Sequence, residues 1–208
     1  MRRGQLIGAL ALALAMGLGA CAPRQPEPIA TVRGLEAAIS AADRDAVHAY
    51  VDYAYRLSEV LGDVYDDAPE ADRARAVALA RSMFERTTDA LWASSFAGRP
   101  VETRVSGRDG GHVWVESTAS GDGRPPLAFR YRLTLREGRW RVTQREYVSG
   151  PNRSNTGVFY PMALNQLAAD LGRAPTLAEL NANLPSLQGR IKVRTYRVPE
   201  LPSKPGKR

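Results

Sequence analysis

Cysteine and histidine are scarce in this chain: its 208 residues include one cysteine and two histidines. A single cysteine excludes a disulfide within the chain, so the fold has to be stabilised by its apolar core. Paired cysteines, a His-Glu-x-x-His spacing, a Gly-x-Ser-x-Gly elbow and a phosphate-binding Gly-x-x-x-x-Gly-Lys loop are all missing from the sequence. These absences argue against the common zinc-dependent, hydrolytic and nucleotide-binding classes.

The two histidines offer little to catalysis. His48 and His112 occur in unrelated segments, and a histidine base needs a partner within hydrogen-bond reach. Asp63, Asp66 and Asp67 share one acidic stretch, which lacks the glycine and the final glutamate of a calcium loop. We therefore predict that the protein is not an enzyme and holds no metal and no cofactor.

The net charge is too mild and too dispersed to indicate nucleic acid as a partner. The formal charge is +7 at pH 7. The lysine and arginine residues are spread along the chain and are not interleaved with aromatic residues in a recognised nucleic-acid-binding motif. A mildly basic surface is compatible with anionic lipid headgroups or with an acidic protein.

The long apolar run near the start of the chain has the layout of an export signal. Arg2 and Arg3 precede an apolar stretch over residues 6–18, and the tetrad 18–21 (Leu-Gly-Ala-Cys) closes it. The stretch is shorter than the ~20 apolar residues that a transmembrane helix needs. The tetrad resembles a bacterial lipobox, in which cleavage before the cysteine accompanies acylation of its thiol. The alternative is an ordinary secretory signal with an incidental cysteine.

The lipobox resemblance implies a lipoprotein of the bacterial cell envelope. Cys21 would carry the acyl chains, such as palmitate. The next residue is Ala22, where Gram-negative lipoproteins retained in the inner membrane have aspartate, so the resemblance implies the outer membrane, facing the periplasm. The predicted organisation is a signal peptide over residues 1–20, a lipidated tether over 21–32, a single lipid-binding α+β domain over 33–198 and a disordered basic tail over 199–208.

Hydrophobic periodicity predicts helices, then strands, then helices. Apolar spacings of three and four residues predict helical structure over 29–61, with a break near 41–43, and a long helix over 70–97 after an acidic loop. The period then changes to two, and strands are predicted over 101–105, 112–118, 127–136 and 140–148. A polar connection over 149–155, a helix over 157–171, a short helix from Thr176 that ends before Pro185 and a last strand over 191–198 complete the prediction.

This order of elements predicts an α+β fold. N-terminal helices are expected to pack on a curved four-stranded antiparallel meander, which is followed by C-terminal helices. A sheet that curls around helices leaves apolar space between the layers, and apolar concavities with few polar groups bind ligands. That space is filled either by the chain's own side chains or by an apolar guest. The residues predicted to line a lipid cavity are Phe84, Leu91, Trp114, Phe129, Tyr131, Leu133, Trp140 and Tyr147.

Several stretches, taken in order, resemble one family of lipid-binding proteins. They are 55–62 (Tyr-Arg-Leu-Ser-Glu-Val-Leu-Gly), 68–73 (Ala-Pro-Glu-Ala-Asp-Arg), 123–126 (Gly-Arg-Pro-Pro), 140–142 (Trp-Arg-Val) and 147–149 (Tyr-Val-Ser). Their order and spacing resemble the Mla-type (toluene-tolerance) periplasmic phospholipid-binding shuttles, which are auxiliary components of an ABC transporter. The lipobox would make this chain a lipoprotein form of that family.

The resemblance implies a cystatin-like cone whose cavity holds the acyl chains of a phospholipid. On this hypothesis the protein is membrane-anchored and non-enzymatic and takes part in lipid transport across the bacterial envelope. Its partners would be phospholipid and an ABC transporter or an outer-membrane lipid-transfer complex. Arg130 and Arg132 are predicted to hydrogen-bond the headgroup phosphate. The alternatives are a cone-fold envelope lipoprotein that acts as an adaptor or structural component without a ligand and, with least support, a small enzyme on the same cone.

Overall fold

Helices flank an antiparallel sheet in the part of the chain that the computed structural model describes. The described residues are 27–95, 99–121, 123, 126–149, 152–155, 159–191 and 196–197. The predicted signal peptide (1–20), the predicted acylation site Cys21 and the predicted tail (199–208) lie outside them. Within the described residues, no helix combines the length and the apolar character needed to cross a bilayer.

In the described stretch from residue 27 onward, five helices precede the sheet. They are α1 (Pro28–Ser40), α2 (Arg44–Tyr50), α3 (Tyr53–Leu61), α4 (Asp63–Asp66) and α5 (Glu70–Ser95). Asp43 caps α2 by accepting a hydrogen bond from the backbone N–H of Ala46, and Asp52 caps α3 in the same way from Tyr55. The predicted break near 41–43 is therefore confirmed, whereas the second break, at Asp52, is missing from the prediction.

The folded region begins earlier than predicted. Helix α1 starts at Pro28, and Thr31 and Val32 are already buried. A proline fits the first turn of a helix because the N–H that it lacks would have no partner there. The prediction of a tether over 21–32 is therefore wrong for residues 28–32, where a proline that was expected in an extended linker begins a helix.

Among the described residues the sheet has six strands, which lie side by side in sequence order with antiparallel pairing. They are β1 (Val101–Asp109), β2 (His112–Ala119), β3 (Leu127–Arg136), β4 (Arg139–Ser149), β5 (Asn152–Asn155) and β6 (Tyr196–Arg197). The first four form the predicted meander, and the α+β prediction is confirmed.

The two short strands depart from the prediction. Strand β5 lies in the stretch that was predicted to be a polar connection. Its Asn-Arg-Ser-Asn sequence has no apolar alternation, so only its backbone pairing with β4 shows that it is a strand. Of the predicted last strand over 191–198, Tyr196 and Arg197 form β6 and Ile191 lies outside any strand. The remaining residues of that stretch are not among those described.

Two more helices follow β5, α6 (Phe159–Leu171) and α7 (Leu177–Arg190). The predicted start at Thr176 is confirmed, since Thr176 and Glu179 form a capping box there. The prediction that α7 ends before Pro185 is wrong, because the helix runs on through the proline. An internal proline costs about 3 kcal/mol, whereas each fully buried leucine contributes roughly 1.5–3 kcal/mol. Four buried leucines hold α7 in place: Leu177, Leu180, Leu184 and Leu187.

The buried side chains that the structure describes form two clusters. The sheet core joins α1 and α2 to the sheet, and its members include Val32, Leu35, Ile39, Val47, Val115, Phe129, Tyr131, Leu133 and Val142. The helical core joins α3 to α7, and its members include Leu57, Leu61, Tyr65, Ala76, Phe159, Tyr160, Leu167, Leu180 and Leu184. Helix α5 serves both cores, since Ala76 belongs to the helical core while Phe84 packs against the sheet core.

A β-bulge in β4 decides which of its side chains face the sheet core. Arg132 pairs with Gln144, but the next residue, Leu133, pairs with Val142, so Thr143 is the extra residue. Simple alternation from Val142 would turn residues 144 and 146 inward. The bulge instead turns Arg145 and Tyr147 inward, opposite Tyr131 and Phe129 of β3.

A buried carboxyl group lies at the centre of the sheet core. The Tyr131 hydroxyl donates a hydrogen bond to Oε1 of Glu36 on α1, at 3.1 Å. Burial raises the pKa of Glu36 above its usual range, although hydrogen bonds from Ser117 and Tyr131 and the nearby charge of Arg33 oppose the shift. Ionising Glu36 therefore costs more in the folded protein than in the unfolded chain.

We expect Glu36→Gln to become more stabilising, relative to the wild type, as the pH rises. A raised pKa gives Glu36 a stabilising contribution below the unfolded pKa, and this contribution is lost as the pH rises through the folded pKa. Glutamine keeps an acceptor for Tyr131 but has no charge to bury. Urea denaturation between about pH 4 and about pH 8 measures the difference in unfolding free energy. Glu102→Gln, on exposed β1, is the control, and a difference at Glu36 that does not change with pH would contradict the expectation.

Candidate functional site

Helix α1 occupies the space that was predicted to hold a guest between the helices and the sheet. Phe129, Tyr131 and Leu133 are 1%, 0% and 0% exposed and pack in one cluster with Val32 and Leu35 of α1. These three predicted cavity residues are therefore core residues in this structure. An apolar guest would have to displace side chains of this cluster to reach them.

A pocket of ≈ 90 Å³ lies where the sheet core and the helical core meet. Helices α3 and α5 line one side and β4 lines the other, and the lining is mostly apolar. Its apolar side chains include Leu57, Val60, Ala80, Met83, Phe84 and Val142. The Asp52 N–H donates a 2.9 Å hydrogen bond to the carbonyl of Val142, which holds the start of α3 against β4 beside the pocket.

Arg145 brings a buried positive charge to this pocket. Its side chain is one of the lining groups, and the residue is 5% exposed. The guanidinium donates to Thr88 Oγ1 at 2.6 Å and to Thr87 Oγ1 at 3.0 Å, both on α5. It also lies 4.3 Å from the centre of the Phe84 ring, a cation–π contact. Burial lowers the pKa of Arg145 from its usual value, partly offset by the nearby Tyr131 and Tyr53.

A tyrosine–histidine–glutamate chain lies beside the pocket. The His48 ring nitrogens are 2.9 Å from the Tyr53 hydroxyl and 2.8 Å from Oε1 of Glu85. Burial raises the pKa of the Tyr53 hydroxyl well above its usual range. Three helices bring these groups together, α2, α3 and α5, which is why His48 has partners that its position in the sequence does not reveal.

A second pocket, of ≈ 170 Å³, lies between α1, α2 and α5. It is lined by Ile39, Ala42, Arg44, Val47, Phe84, Glu85 and Thr88. Phe84 lines both pockets, so this predicted cavity residue does border empty space.

Trp114, Arg130 and Arg132 lie on the face of the sheet that is turned away from the sheet core. The Arg130 guanidinium lies 4.7 Å from the Trp114 ring centre, and Arg130 also forms an ion pair with Glu146 at 3.4 Å. Arg132 forms an ion pair with Glu59 of α3. The prediction of one cavity that includes Trp114, with Arg130 and Arg132 at its mouth, is therefore wrong for these three, since the sheet separates them from Phe129.

The arginine partners of Glu59 lower the pKa of its carboxyl group. Burial alone would raise the pKa of Glu59, but its hydrogen bonds with Arg132 and Arg56 together bring the pKa below its usual range. The predicted headgroup arginines thus already have carboxylate partners.

The remaining predicted cavity residues are Trp140, Tyr147 and Leu91. Trp140 and Tyr147 are partly buried and pack against the sheet core, with the Tyr147 ring centre 5.6 Å from that of Phe129. Leu91 lies in α5, but its side chain is not among those described. No group of histidine, cysteine and acidic side chains suited to a metal ion occurs in the described part of the chain.

The comparisons with known proteins concern the fold. No protein-family model matches the sequence, and no curated protein matches it. Among solved structures, the phospholipid-binding protein from Ralstonia solanacearum, in complex with a phospholipid, matches with a TM-score of 0.56. The two sequences are 17% identical, and the match covers 77% of this chain and 93% of that one. The chain shares its arrangement of helices around an antiparallel sheet with that protein.

Alanine substitution on β3 tests whether the sheet core is closed. We expect Phe129→Ala to lower the free energy of unfolding by about 3–5 kcal/mol, the usual cost of removing a buried phenylalanine. Leu135→Ala, on the same strand but 39% exposed, should have a much smaller effect. Urea denaturation measures both. A Phe129→Ala variant as stable as the wild type would mean that the ring borders open space.

Proposed function

We propose that the protein binds a lipid, that an acyl chain enters the apolar pocket between the two cores, and that the protein takes part in lipid transport across the bacterial envelope. The pocket itself carries this proposal, because it is an apolar cleft at a boundary between two clusters that are each well packed. Such a boundary widens without exposing the interior of either cluster. The phospholipid-binding protein of Ralstonia, which has the same fold, supports the choice of guest.

The energetics of acyl-chain burial suit a carrier. Each methylene buried from water contributes ~0.8 kcal/mol, but a lipid that leaves a bilayer gives up an equally apolar environment. Uptake from a membrane is therefore close to neutral in free energy, and a partner can reverse it. We infer by resemblance that this partner is an ABC transporter or an outer-membrane lipid-transfer complex of the Mla type.

The size of the pocket requires a change of shape on binding. An apolar cavity of about 150 Å³ holds one benzene ring, whereas the pocket measures ≈ 90 Å³. Phe84 also lines the ≈ 170 Å³ pocket, so movement of its ring would enlarge the space. An acyl chain would therefore separate α5 from β4 as it enters.

The second candidate function is that of an adaptor or structural component without a ligand. The observation that favours it is the closed sheet core, in which α1 fills the space that a lipid was expected to occupy. The two functions differ in one measurable property, since only a lipid-binding protein loads lipid from a membrane.

Blocking the pocket distinguishes the two functions. Ala80 of α5 lines the pocket, while Ala78, on the same helix, is exposed. We expect Ala80→Phe to reduce lipid loading at least about fivefold, because its ring occupies the space of the guest. Ala78→Phe, the matched control, should load normally. The readout is native mass spectrometry after incubation with phosphatidylethanolamine–phosphatidylglycerol vesicles, with the full chain carrying Cys21→Ser. If the wild-type protein loads no lipid from these vesicles, lipid binding is contradicted and the adaptor function remains.

We also propose that acylation of Cys21 anchors the protein in the envelope, on the outer membrane facing the periplasm. Stable anchoring requires more than one acyl chain, which the lipobox resemblance supplies. We expect Cys21→Ser to move the protein from the membrane fraction to the soluble fraction when cells are fractionated. An Ala22→Ser variant, which keeps the thiol, should stay with the membrane. Continued membrane attachment of Cys21→Ser would contradict the anchor.

A further inference from the structure

We propose that Arg145 is the anion-binding group of the pocket between the two cores, and that the preferred guest is an amphiphile whose alkyl chain ends in an acidic oxygen group, a carboxylate or a phosphate. This inference deepens the lipid-binding function proposed above and rests on it. The charged end of the guest is thereby assigned to Arg145, on the inner face of the sheet, and no longer to Arg130 and Arg132 on the outer face.

The first argument is the unbalanced charge of Arg145. An arginine stays protonated in a protein, and a buried charge without an opposite charge is costly. Within the described residues, the hydrogen bonds of Arg145 go to threonine hydroxyls, and no carboxylate pairs with it. Arg130 and Arg132, which are also largely buried, each pair with a glutamate. An acidic guest would supply the missing negative charge.

The second argument is the geometry of the guanidinium. Two of its five N–H donors are used by Thr87 and Thr88, so the group is held in place and donors remain. The rings of Phe84 and Phe129 lie 4.3 Å and 5.3 Å from it. The guanidinium is therefore fixed by α5 and β3 before any guest arrives, and a planar fork of donors matches the two oxygens of a carboxylate or phosphate.

The third argument is the chemistry of the rest of the pocket. The formally charged residues that line it are Arg56 and Arg145, and no lining residue is acidic. Tyr160, which is 7% exposed, also lines the pocket, and its hydroxyl is buried with no hydrogen-bond partner in the described structure. An oxyanion in the pocket would find a second donor in this hydroxyl, whereas a purely apolar guest would leave the hydroxyl without a partner and the charge of Arg145 unbalanced.

The volume of the pocket agrees with the entry of an acid group. At ≈ 90 Å³ it is smaller than a cavity that holds one benzene ring and too small for a whole acyl chain, so the acidic end is the part of the guest that would enter it first. The alkyl chain would then follow the apolar lining of α3 and α5.

The test compares three probes of equal chain length, which are dodecanoic acid, dodecyl phosphate and dodecanol, by calorimetric titration of the full chain carrying Cys21→Ser. We expect at least one acidic probe to bind about tenfold or more tightly than the alcohol, because a charged hydrogen bond replaces a neutral one. The two acidic probes distinguish a carboxylate guest from a phosphate guest. Arg145→Met should abolish the preference while dodecanol binds as before, and Arg104→Met, at an exposed position on β1, should keep it.

Each outcome bears on a different claim. Equal affinity of the wild type for all three probes would overturn the role of Arg145 and leave lipid binding intact. Failure of every probe to bind would overturn the proposed function, and this inference with it. If Arg145→Met does not fold, Arg145→Lys replaces it: the lysine keeps the charge but loses the fork, so we expect a weaker preference for the acid. An unchanged preference in Arg145→Lys would overturn the bidentate geometry on which the proposal rests.

Discussion

The bulge at Thr143 is the constraint on which the interior of this protein depends. One extra residue in β4 reverses the alternation of the strand, so that Val142 faces the sheet core below the bulge while Arg145 and Tyr147 face it above. Without the extra residue, Gln144 and Glu146 would face inward and Arg145 would join the ion pairs of the outer face. The bulge therefore turns a cation, rather than an amide and a carboxylate, toward the sheet core.

Helix α5 is the second element that this boundary requires. Its first half packs in the helical core through Ala76, and its later turns meet the sheet through Phe84, Thr87 and Thr88. The pocket beside Leu57 and Val142 lies where α5 passes from one core to the other. The apolar space and the buried arginine therefore both lie at the boundary between the sheet core and the helical core.

Much of the fold was predictable because it follows from local patterns. The alternation over 127–136 predicts β3 with both its ends, and the spacing of apolar residues after Glu70 predicts α5. Two of the errors arose where packing or pairing overrides a local signal: Pro185 lies inside a helix that is buried through its leucines, and β5 forms without any apolar residue by backbone pairing. Pro28 is a different case, because proline suits the first turn of a helix as well as an extended linker.

The candidate site was predicted less well than the fold. By itself, the sequence determined the order of helices and strands, the scarcity of catalytic groups and the set of aromatic side chains available to a core, since these depend on composition and on periodicity within single segments. Only the tertiary structure decided that α1 fills the sheet face, that Trp114 lies on the opposite side from Phe129, and that Arg145 faces inward. The physical reason is that a face is shared between strands: one inserted residue turns every later side chain over, and no pattern within a single strand records where its neighbours lie.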